Sequence, residues 1–182
     1  MGLTETDKQV LIDIAKKTIE CKMKKEEVPE FKIASKTLKE KRGAFVTLKK
    51  DGSLRGCIGY VEAKKPLHKT VEEMTVASAF NDPRFPPLRQ DELKHLTIEI
   101  SVLTPLKQIK DIEEIEVGVH GIYITRDFHS GLLLPQVANE YQWDRLTFLE
   151  ESCYKANLSS NAWTDKNTKI YIFTADVFGQ HW

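Results

Sequence analysis

The sequence has no excess of charge of either sign. Lys plus Arg and Asp plus Glu each number 27 among the 182 residues, so the formal net charge is zero. A neutral chain creates no overall field that would draw it to nucleic acid or to an anionic membrane. Only a local cluster could do so, and one exists: Lys36, Lys39, Lys41, Arg42, Lys49 and Lys50. We call it the Lys36–Lys50 cluster. Such a cluster is more often a solvated surface than a contact for phosphates.

Long apolar runs are also missing. No stretch approaches the roughly 20 residues that span a bilayer, and the first residues lack the basic and apolar segments of a secretory signal. The cysteines Cys21, Cys57 and Cys153 are few, odd in number and far apart. This pattern argues against a disulfide framework and favours a reducing compartment. We therefore predict a cytoplasmic protein without a membrane segment.

Familiar cofactor and metal motifs are absent from the sequence. Neither a phosphate loop nor the dinucleotide-binding glycine pattern occurs, and no His-Glu-x-x-His or Cys-x-x-Cys is present. Ser130 lacks the surroundings of a serine nucleophile. We accordingly predict no cofactor and no metal, leaving open a metal site that only folding would assemble.

The spacing of apolar residues predicts an α+β fold. Helical spacing marks residues 6–23, 67–80 and 136–157, the last with a break near Trp143 and Asp144. Strand patterns mark residues 44–48, 54–61, 96–103, 120–125, 131–134 and 169–173. Asp51 and Gly52 predict a tight turn between the first two strands, and residues 126–130 are expected to connect a second hairpin. Because helices and strands do not alternate strictly, we expect a mixed or antiparallel sheet with helices packed on it.

The first candidate site is the segment Leu-Arg-Gly-Cys-Ile-Gly at residues 54–59. On a regular strand, Arg55 and Cys57 would share one face roughly 7 Å apart, with Leu54 on the other face. A cation at that distance favours a reactive thiolate. Cysteine is also among the most commonly buried and inert residues. The sequence leaves both interpretations open.

Two glycines in the same segment strengthen the functional interpretation. Gly56 and Gly59 weaken a strand unless a bulge, a crossing backbone or a bound ligand needs the space. We therefore include both among the ligand-binding candidates.

The second candidate is residues 81–87, Asn-Asp-Pro-Arg-Phe-Pro-Pro. Its three prolines exclude a helix and stiffen the segment. Asp82 and Arg84 would then be held in place at little entropic cost, which suits the rim of a binding site. The alternative is a turn with both side chains solvated.

The third candidate is residues 116–122, Glu-Val-Gly-Val-His-Gly-Ile. His120 lies between two glycines, where a partner could approach the backbone. A histidine there could act as an acid, a base or a ligand. A structural role at the start of a strand is the alternative.

Taken together, these segments resemble the AMMECR family. The resemblance rests on the three candidate segments and on further runs in the same order: Ala-Phe at 79–80 and Leu88 around the proline segment, Glu-Ile-Ser-Val-Leu-Thr-Pro-Leu at 99–106, Gly-Leu-Leu-Leu-Pro-Gln-Val-Ala at 131–138 and Trp-Asp at 143–144. It extends over essentially the whole chain.

The resemblance implies an α+β fold with a larger and a smaller lobe and a groove between them. It implies a single domain over residues 1–182, with two closely packed lobes as the alternative. No biochemical activity follows from it. Microbial members of the family are often neighbours of Memo-type and radical SAM proteins, which makes these two classes possible partners. The family motifs map onto Arg55, Gly56, Cys57, Gly59, Asp82, Pro83, Arg84, Phe85, Glu116, His120 and Gly121.

Three functional hypotheses follow. The first is a module that binds a small ligand or a partner protein through Arg55, Gly56, Gly59, Asn81, Asp82 and Arg84. The second is a thiol-dependent enzyme or enzyme component, with Cys57 as nucleophile and His120 or Glu116 moving protons. The third is nucleic-acid binding through the Lys36–Lys50 cluster.

Overall fold

The computed structural model describes residues 2–182. The chain divides into two compact units. The larger unit comprises the chain up to Leu103 together with Asp176–Trp182, and the smaller unit is Thr104–Ala175. The smaller unit is thus an insertion into the sequence of the larger one.

The structure has four α-helices and eight strands among the described residues. The helices are α1 (Glu5–Lys24), α2 (Leu67–Phe80), α3 (Pro135–Glu140) and α4 (Arg145–Lys155). The strands are β1 (Ala44–Lys50), β2 (Ser53–Tyr60), β3 (Leu96–Leu103), β4 (Lys107–Ile109), β5 (Gly121–Arg126), β6 (His129–Leu133), β7 (Lys169–Phe173) and β8 (Ala175–His181). Short 3₁₀ segments occupy Thr37–Lys39, Gln90–His95, Ile112–Glu114 and Ala162–Thr164.

Helix α1 begins and ends within one residue of the predicted range 6–23, which confirms the prediction. Thr4 caps its start, because the Thr4 hydroxyl accepts a hydrogen bond from the backbone N of Asp7, and the Asp7 carboxylate accepts one from the backbone N of Thr4. Leu11, Ile14 and Ala15 are buried along one side of the helix. Helix α1 ends where Lys25 adopts a left-handed conformation.

The sheet of the larger unit has the strand order β2-β1-β3-β8. Strand β1 pairs antiparallel with both β2 and β3. The predicted turn at Asp51 and Gly52 is confirmed, and both residues have positive φ, 48° and 82°, as a two-residue hairpin loop requires. Apolar residues of β1 and β3 join α1 and α2 in one buried core: Leu11, Ile14, Ile19, Val46, Leu48, Leu67, Val71, Met74, Ile98 and Ile100.

The smaller unit has its own sheet, in the order β4-β7-β5-β6, and its own core. Strand β5 pairs antiparallel with β6 and β7. Alternate residues of β5 and β7 are buried with α4 in this core: Ile122, Ile124, Phe148, Leu149, Ile170 and Ile172. The predicted break is confirmed, since Asp144 caps α4 by accepting a hydrogen bond from the backbone N of Thr147 at 2.8 Å.

The structure departs from the sequence prediction at one turn and at two strands. The turn between β5 and β6 is only Asp127 and Phe128, shorter than the predicted 126–130, because Arg126 and His129 already pair. Strands β4 and β8 were not predicted. The first has only three residues, and the second is an edge strand with Gly179 inside it and mostly exposed side chains. No helix among residues 2–182 is both long and apolar enough to cross a membrane.

Candidate functional site

The pairing of β1 with β2 contains a β-bulge at the first candidate segment. Leu48 and Lys49 are adjacent in β1, yet they pair with Gly56 and Leu54 respectively. Arg55 is therefore the extra residue of β2 and has no partner across the ladder.

This bulge corrects the predicted face assignment. Cys57 pairs with Thr47 and Leu54 pairs with Lys49, so Leu54 and Cys57 lie on one face of the sheet. The prediction that they face opposite sides was wrong, because regular alternation counts every residue and the bulge adds one. The expected Arg55–Cys57 pair is not formed either, since the Arg55 guanidinium binds Glu92.

Arg55 belongs to a buried ion pair. Its side chain is 9% exposed and that of Glu92 is 8% exposed. Arg55 Nε donates to Glu92 Oε1 at 3.0 Å and Nη2 to Oε2 at 2.9 Å, the bidentate geometry that makes such pairs strong. Arg55 Nη1 is buried without a hydrogen-bond partner among the described residues. Arg55 thus fixes the bulge of β2 to the segment Gln90–His95.

The Glu92 carboxylate accepts hydrogen bonds from several donors. Besides Arg55, its carboxylate accepts from the backbone N of Arg89 at 3.0 Å and from Lys50 Nζ at 3.1 Å. The hydrogen bonds from Arg55, and then those from Arg89 and Lys50, lower the pKa of Glu92 to about 2 although burial opposes the shift. Glu92 is therefore ionised at neutral pH.

Asp82 holds Arg84 in a fixed position beside Cys57. Asp82 is 3% exposed. Its Oδ2 accepts from the backbone N of Cys57 at 2.9 Å and from Arg84 Nη2 at 2.7 Å, and its Oδ1 accepts from Arg84 N at 3.1 Å and Arg84 Nε at 3.0 Å. The Arg84 side chain, followed by the Cys57 and Arg84 backbone, holds the pKa of Asp82 well below its usual range. The interpretation of Asp82 as a solvated turn residue was wrong.

The Arg84 side chain is held in a fixed orientation, but only part of its guanidinium is hydrogen-bonded. Its Nη2 also donates to the carbonyl oxygen of Cys57 at 3.0 Å, and its side chain is 53% exposed. A guanidinium has five N–H groups. The contacts with Asp82 and Cys57 involve Nε and Nη2, and Nη1 has no partner among residues 2–182. Arg84 therefore keeps two N–H groups in a fixed direction.

Cys57 is the one partly exposed cysteine among the described residues, since Cys21 and Cys153 are buried. The Thr47 hydroxyl donates to Cys57 Sγ at 3.2 Å. Both polar backbone groups of Cys57 are bound by the second candidate segment, through Asp82 and Arg84. The structure therefore brings the first two candidate segments together.

The two glycines of β2 make room for protein atoms. A Cβ at Gly56 would collide with the backbone carbonyl oxygen of Ser78 in α2, and one at Gly59 would collide with the ring of Phe45. For Gly56, the close approach of α2 is the crossing backbone, one of the three explanations that the sequence offered for this glycine. The Ser78 hydroxyl also accepts from the backbone N of Ile58 at 3.0 Å, which satisfies part of the exposed edge of β2.

An aromatic ring lies beside both arginines, and Asn81 lines a cavity that Cys57, Asp82 and Arg84 do not line. The guanidinium carbons of Arg55 and Arg84 lie 5.9 and 5.6 Å from the ring centroid of Phe85, within the range of cation–π attraction. Asn81, at the end of α2, lines a cavity of about 620 Å³ together with Tyr60, Met74 and other residues of the larger unit.

Glu116 and His120 lie in the smaller unit and contact each other through the backbone. The backbone N of Glu116 donates to His120 Nδ1 at 3.0 Å. Because a backbone N–H only donates, Nδ1 is the acceptor and a neutral ring carries its proton on Nε2. The Glu116 carboxylate is not part of this contact. A catalytic role for either residue with Cys57 stays a prediction.

Half of the Lys36–Lys50 cluster is engaged in ion pairs. Arg42 pairs with Glu40 at 2.9 Å, Lys49 with Glu99 at 2.9 Å and Lys50 with Glu92 at 3.1 Å. Lys36, Lys39 and Lys41 are exposed. Nucleic-acid binding by this cluster stays a prediction, now with three cations instead of six.

Sequence reasoning missed three residues of the site. Thr47, Ser78 and Glu92 bind the Arg-Gly-Cys-Ile-Gly segment from β1, α2 and the segment Gln90–His95. Nothing local marks them, because their partners are 10, 20 and 37 residues away. No group of His, Cys, Asp or Glu within residues 2–182 is arranged to hold a metal ion.

The two antiparallel sheets with packed helices define an α+β protein, and comparisons with known proteins identify its family. The family model AMMECR1 matches residues 12–178. The chain therefore belongs to the AMMECR1 family, as its motifs predicted.

Relatives over nearly the full length support this assignment. Protein MK0488 of Methanopyrus kandleri is 43% identical, covering 97% of this chain and 89% of its own. Protein SSO0193 of Saccharolobus solfataricus is 43% identical, with 97% and 82% coverage. The crystal structure of the uncharacterized protein PH0010 from Pyrococcus horikoshii is similar with a TM-score of 0.86 and 38% identity, covering 94% of this chain and 90% of that one.

Proposed function

We propose that this protein is a binding module in which Arg84 recognises a hydrogen-bond acceptor, a carboxylate or carbonyl group, of a small ligand or of a segment of a partner protein. The proposed surface consists of Cys57, Asp82, Arg84 and Phe85, and we call it the Arg84 surface. The observation that carries the proposal is the half-exposed guanidinium of Arg84, which is fixed by Asp82 and Cys57 and retains the two N–H groups of Nη1.

The electrostatics of the Arg84 surface narrow the class of ligand. Asp82 is ionised and offsets the charge of Arg84. The pair therefore offers directed hydrogen bonds, which suit a single carboxylate or a carbonyl. Its net charge is small, so it attracts a multiply charged polyphosphate only weakly. Phe85 adds an apolar contact beside the guanidinium. In this proposal Arg55, Gly56 and Gly59 act by holding β2 in shape.

Thermal-shift measurements with a defined set of probes test the proposal: succinate, glutamate, pyruvate and inorganic phosphate. We expect a carboxylate to raise the melting temperature of the wild type and of Cys57→Ser, but not of Arg84→Ala. Arg89→Ala is the matched control, because Arg89 also forms a two-bond pair with a neighbouring aspartate, Asp91, but is exposed and remote from Cys57 in the sequence. Equal responses of the two arginine variants would contradict the proposal.

A partner segment can be tested in parallel. The family resemblance makes Memo-type and radical SAM proteins from the same genome the first partners to try. We expect co-purification with one of them to weaken in Arg84→Ala and to persist in Arg89→Ala. If Arg84→Ala still co-purifies with the partner as strongly as the wild type does, the complex does not depend on the Arg84 surface.

Thiol chemistry at Cys57 is the second candidate function. It is supported by the partial exposure of Cys57, when Cys21 and Cys153 are buried, and by the Thr47 hydroxyl on its sulfur. We expect iodoacetamide to alkylate Cys57 in the folded protein before the other two cysteines, with rates read by mass spectrometry at each residue. Reaction of Cys57 only on unfolding would leave it a packing role. A carboxylate response that survives in Cys57→Ser would favour the binding module.

A further inference from the structure

The smaller unit contains a second cavity, which the proposed function does not use. Its volume is about 490 Å³, within the size range of ligand pockets. It lies at one end of the sheet, where it is lined by the end of β5, by the β5–β6 turn at Asp127 and by residues of the segment Lys166–Tyr171.

The charge of this cavity contrasts with the neutral chain. Arg126, Lys166 and Lys169 line it, against one carboxylate, Asp127. Arg126 is paired with Asp165 at 3.5 Å. Lys166 and Lys169 are exposed and have no ion pair among residues 2–182. The cavity therefore has a net positive charge, with two ammonium groups outside any ion pair against the carboxylate of Asp127, and this charge attracts an anion.

Aromatic side chains accompany these cations. Tyr171 lines the cavity and pairs across the ladder with Tyr123, the ring centroids being 5.9 Å apart. Thr125 pairs with Lys169 in the same register. Because Ile170 and Ile172 are buried in the core, the alternate residues of β7, Lys169 and Tyr171, lie on the opposite face of the sheet.

One more aromatic residue marks this end of the unit. Phe128, in the β5–β6 turn next to Asp127, is fully exposed. A single exposed apolar side chain is common, and Phe128 is notable here only because it follows Asp127, which lines the cavity.

We propose that this cavity binds a nucleotide, with Lys166 and Lys169 contacting the phosphate and Tyr171 contacting the base. Ammonium groups bind phosphate as point charges, and stacking on an aromatic ring is tolerant of base identity. A free nucleotide and a nucleotide within a single strand offer this same chemistry. An anionic membrane would also suit Phe128 beside cations, but a concave site with a tyrosine inside it favours a discrete ligand.

Fluorescence anisotropy of the 182-residue chain with fluorescein-labelled single-stranded octauridylate tests the proposal at low salt. We expect binding that weakens as salt rises, with a log–log slope of about −1.4 for two phosphate contacts. The double variant Lys166→Glu/Lys169→Glu should bind at least tenfold more weakly. Lys110→Glu is the matched control, because Lys110 is exposed in the same unit, has no ion pair among the described residues and does not line the cavity. It should change affinity less than twofold.

The aromatic contact has its own pair of variants. Tyr171→Leu should weaken binding about tenfold, since it removes the ring. Tyr171→Phe keeps the ring and should bind within twofold of the wild type. Circular dichroism of each variant establishes that the fold is retained.

The outcomes distinguish a free nucleotide from a nucleotide within a single strand. Competition by AMP, with its affinity lowered in the lysine double variant, supports a free nucleotide. Oligonucleotide binding without competition by AMP supports a single strand. The proposal is overturned if neither probe binds at low salt, or if Lys110→Glu weakens binding as much as the double variant. Sedimentation with phosphatidylserine vesicles alone, lost in Phe128→Ser, would assign the site to a membrane surface instead.

Discussion

Replacing Glu92 by Gln tests whether the buried ion pair with Arg55 holds the larger unit together. The substitution keeps the shape of the side chain but leaves a buried guanidinium without its counter-charge. The pKa of Glu92 falls from 4.5 to about 2 on folding, and at 1.36 kcal/mol per unit this corresponds to about 3 kcal/mol. Removing one partner of a buried pair has a similar effect, roughly 3 to 5 kcal/mol. We therefore expect Glu92→Gln to lower the free energy of unfolding by about 3 kcal/mol at pH 7.

The loss should depend on pH in a defined direction. The pKa of Glu92 is lower in the folded state than in the unfolded state, so the unfolded state binds more protons between the two values. The contribution of Glu92 is therefore complete above about pH 5 and disappears as the pH falls towards 2. Glu92→Gln cannot titrate, and its difference from the wild type should shrink over the same interval.

Urea denaturation followed by circular dichroism measures the difference, at pH values from 7 down to 3. An unchanged dependence on urea concentration would show that the same surface is exposed on unfolding. Asp91→Asn is the control, because Asp91 forms an exposed pair with Arg89, and it should leave the midpoint nearly unchanged. A loss below 1 kcal/mol for Glu92→Gln at pH 7, or a loss that stays constant with pH, would refute the reasoning.

Three further substitutions test the packing and capping around the site by the same denaturation assay. Gly56→Ala should cost roughly 1 to 3 kcal/mol, because its Cβ would meet the backbone of α2; Gly2→Ala, with nothing near the new Cβ, should cost little, and equal effects would argue against the close approach. Ser78→Ala should cost roughly 1 to 3 kcal/mol, because it removes the acceptor of the part-buried N–H of Ile58 and the buried donor to the carbonyl oxygen of Val46. Thr4→Ala should cost about 1 kcal/mol by removing the cap of α1, and Thr4→Ser should restore most of it.

Local signals predicted most of the regular structure. The boundaries of α2 were predicted without error, because Pro66 precedes the helix and a proline-rich segment follows it. Asp144 and the Asp51–Gly52 turn were predicted because capping and tight turns depend on residues adjacent in sequence. Strand β8 was missed because an exposed edge strand lacks an apolar alternation.

The candidate site was predicted only in part. Asp82, Arg84 and Cys57 were selected from their surroundings, and the structure joins them through hydrogen bonds. The partner of Arg55 could not be predicted, because the bulge that redirects its side chain depends on the register with β1. A one-residue change of register alters every assignment of faces that follows it.

The position of β8 sets an order of events during synthesis. All residues of the smaller unit except Ala175, the first residue of β8, precede β8 in the chain, although β8 pairs with β3. The smaller unit is contiguous, and its ends meet where the backbone N of Thr104 donates to the carbonyl oxygen of Thr174 at 2.9 Å. A nascent chain can therefore complete this unit first, whereas the larger unit, begun earlier, waits for its fourth strand. A ribosome stalled with residues 104–174 outside its exit tunnel and the rest of β8 still inside would hold a finished insertion within an unfinished host.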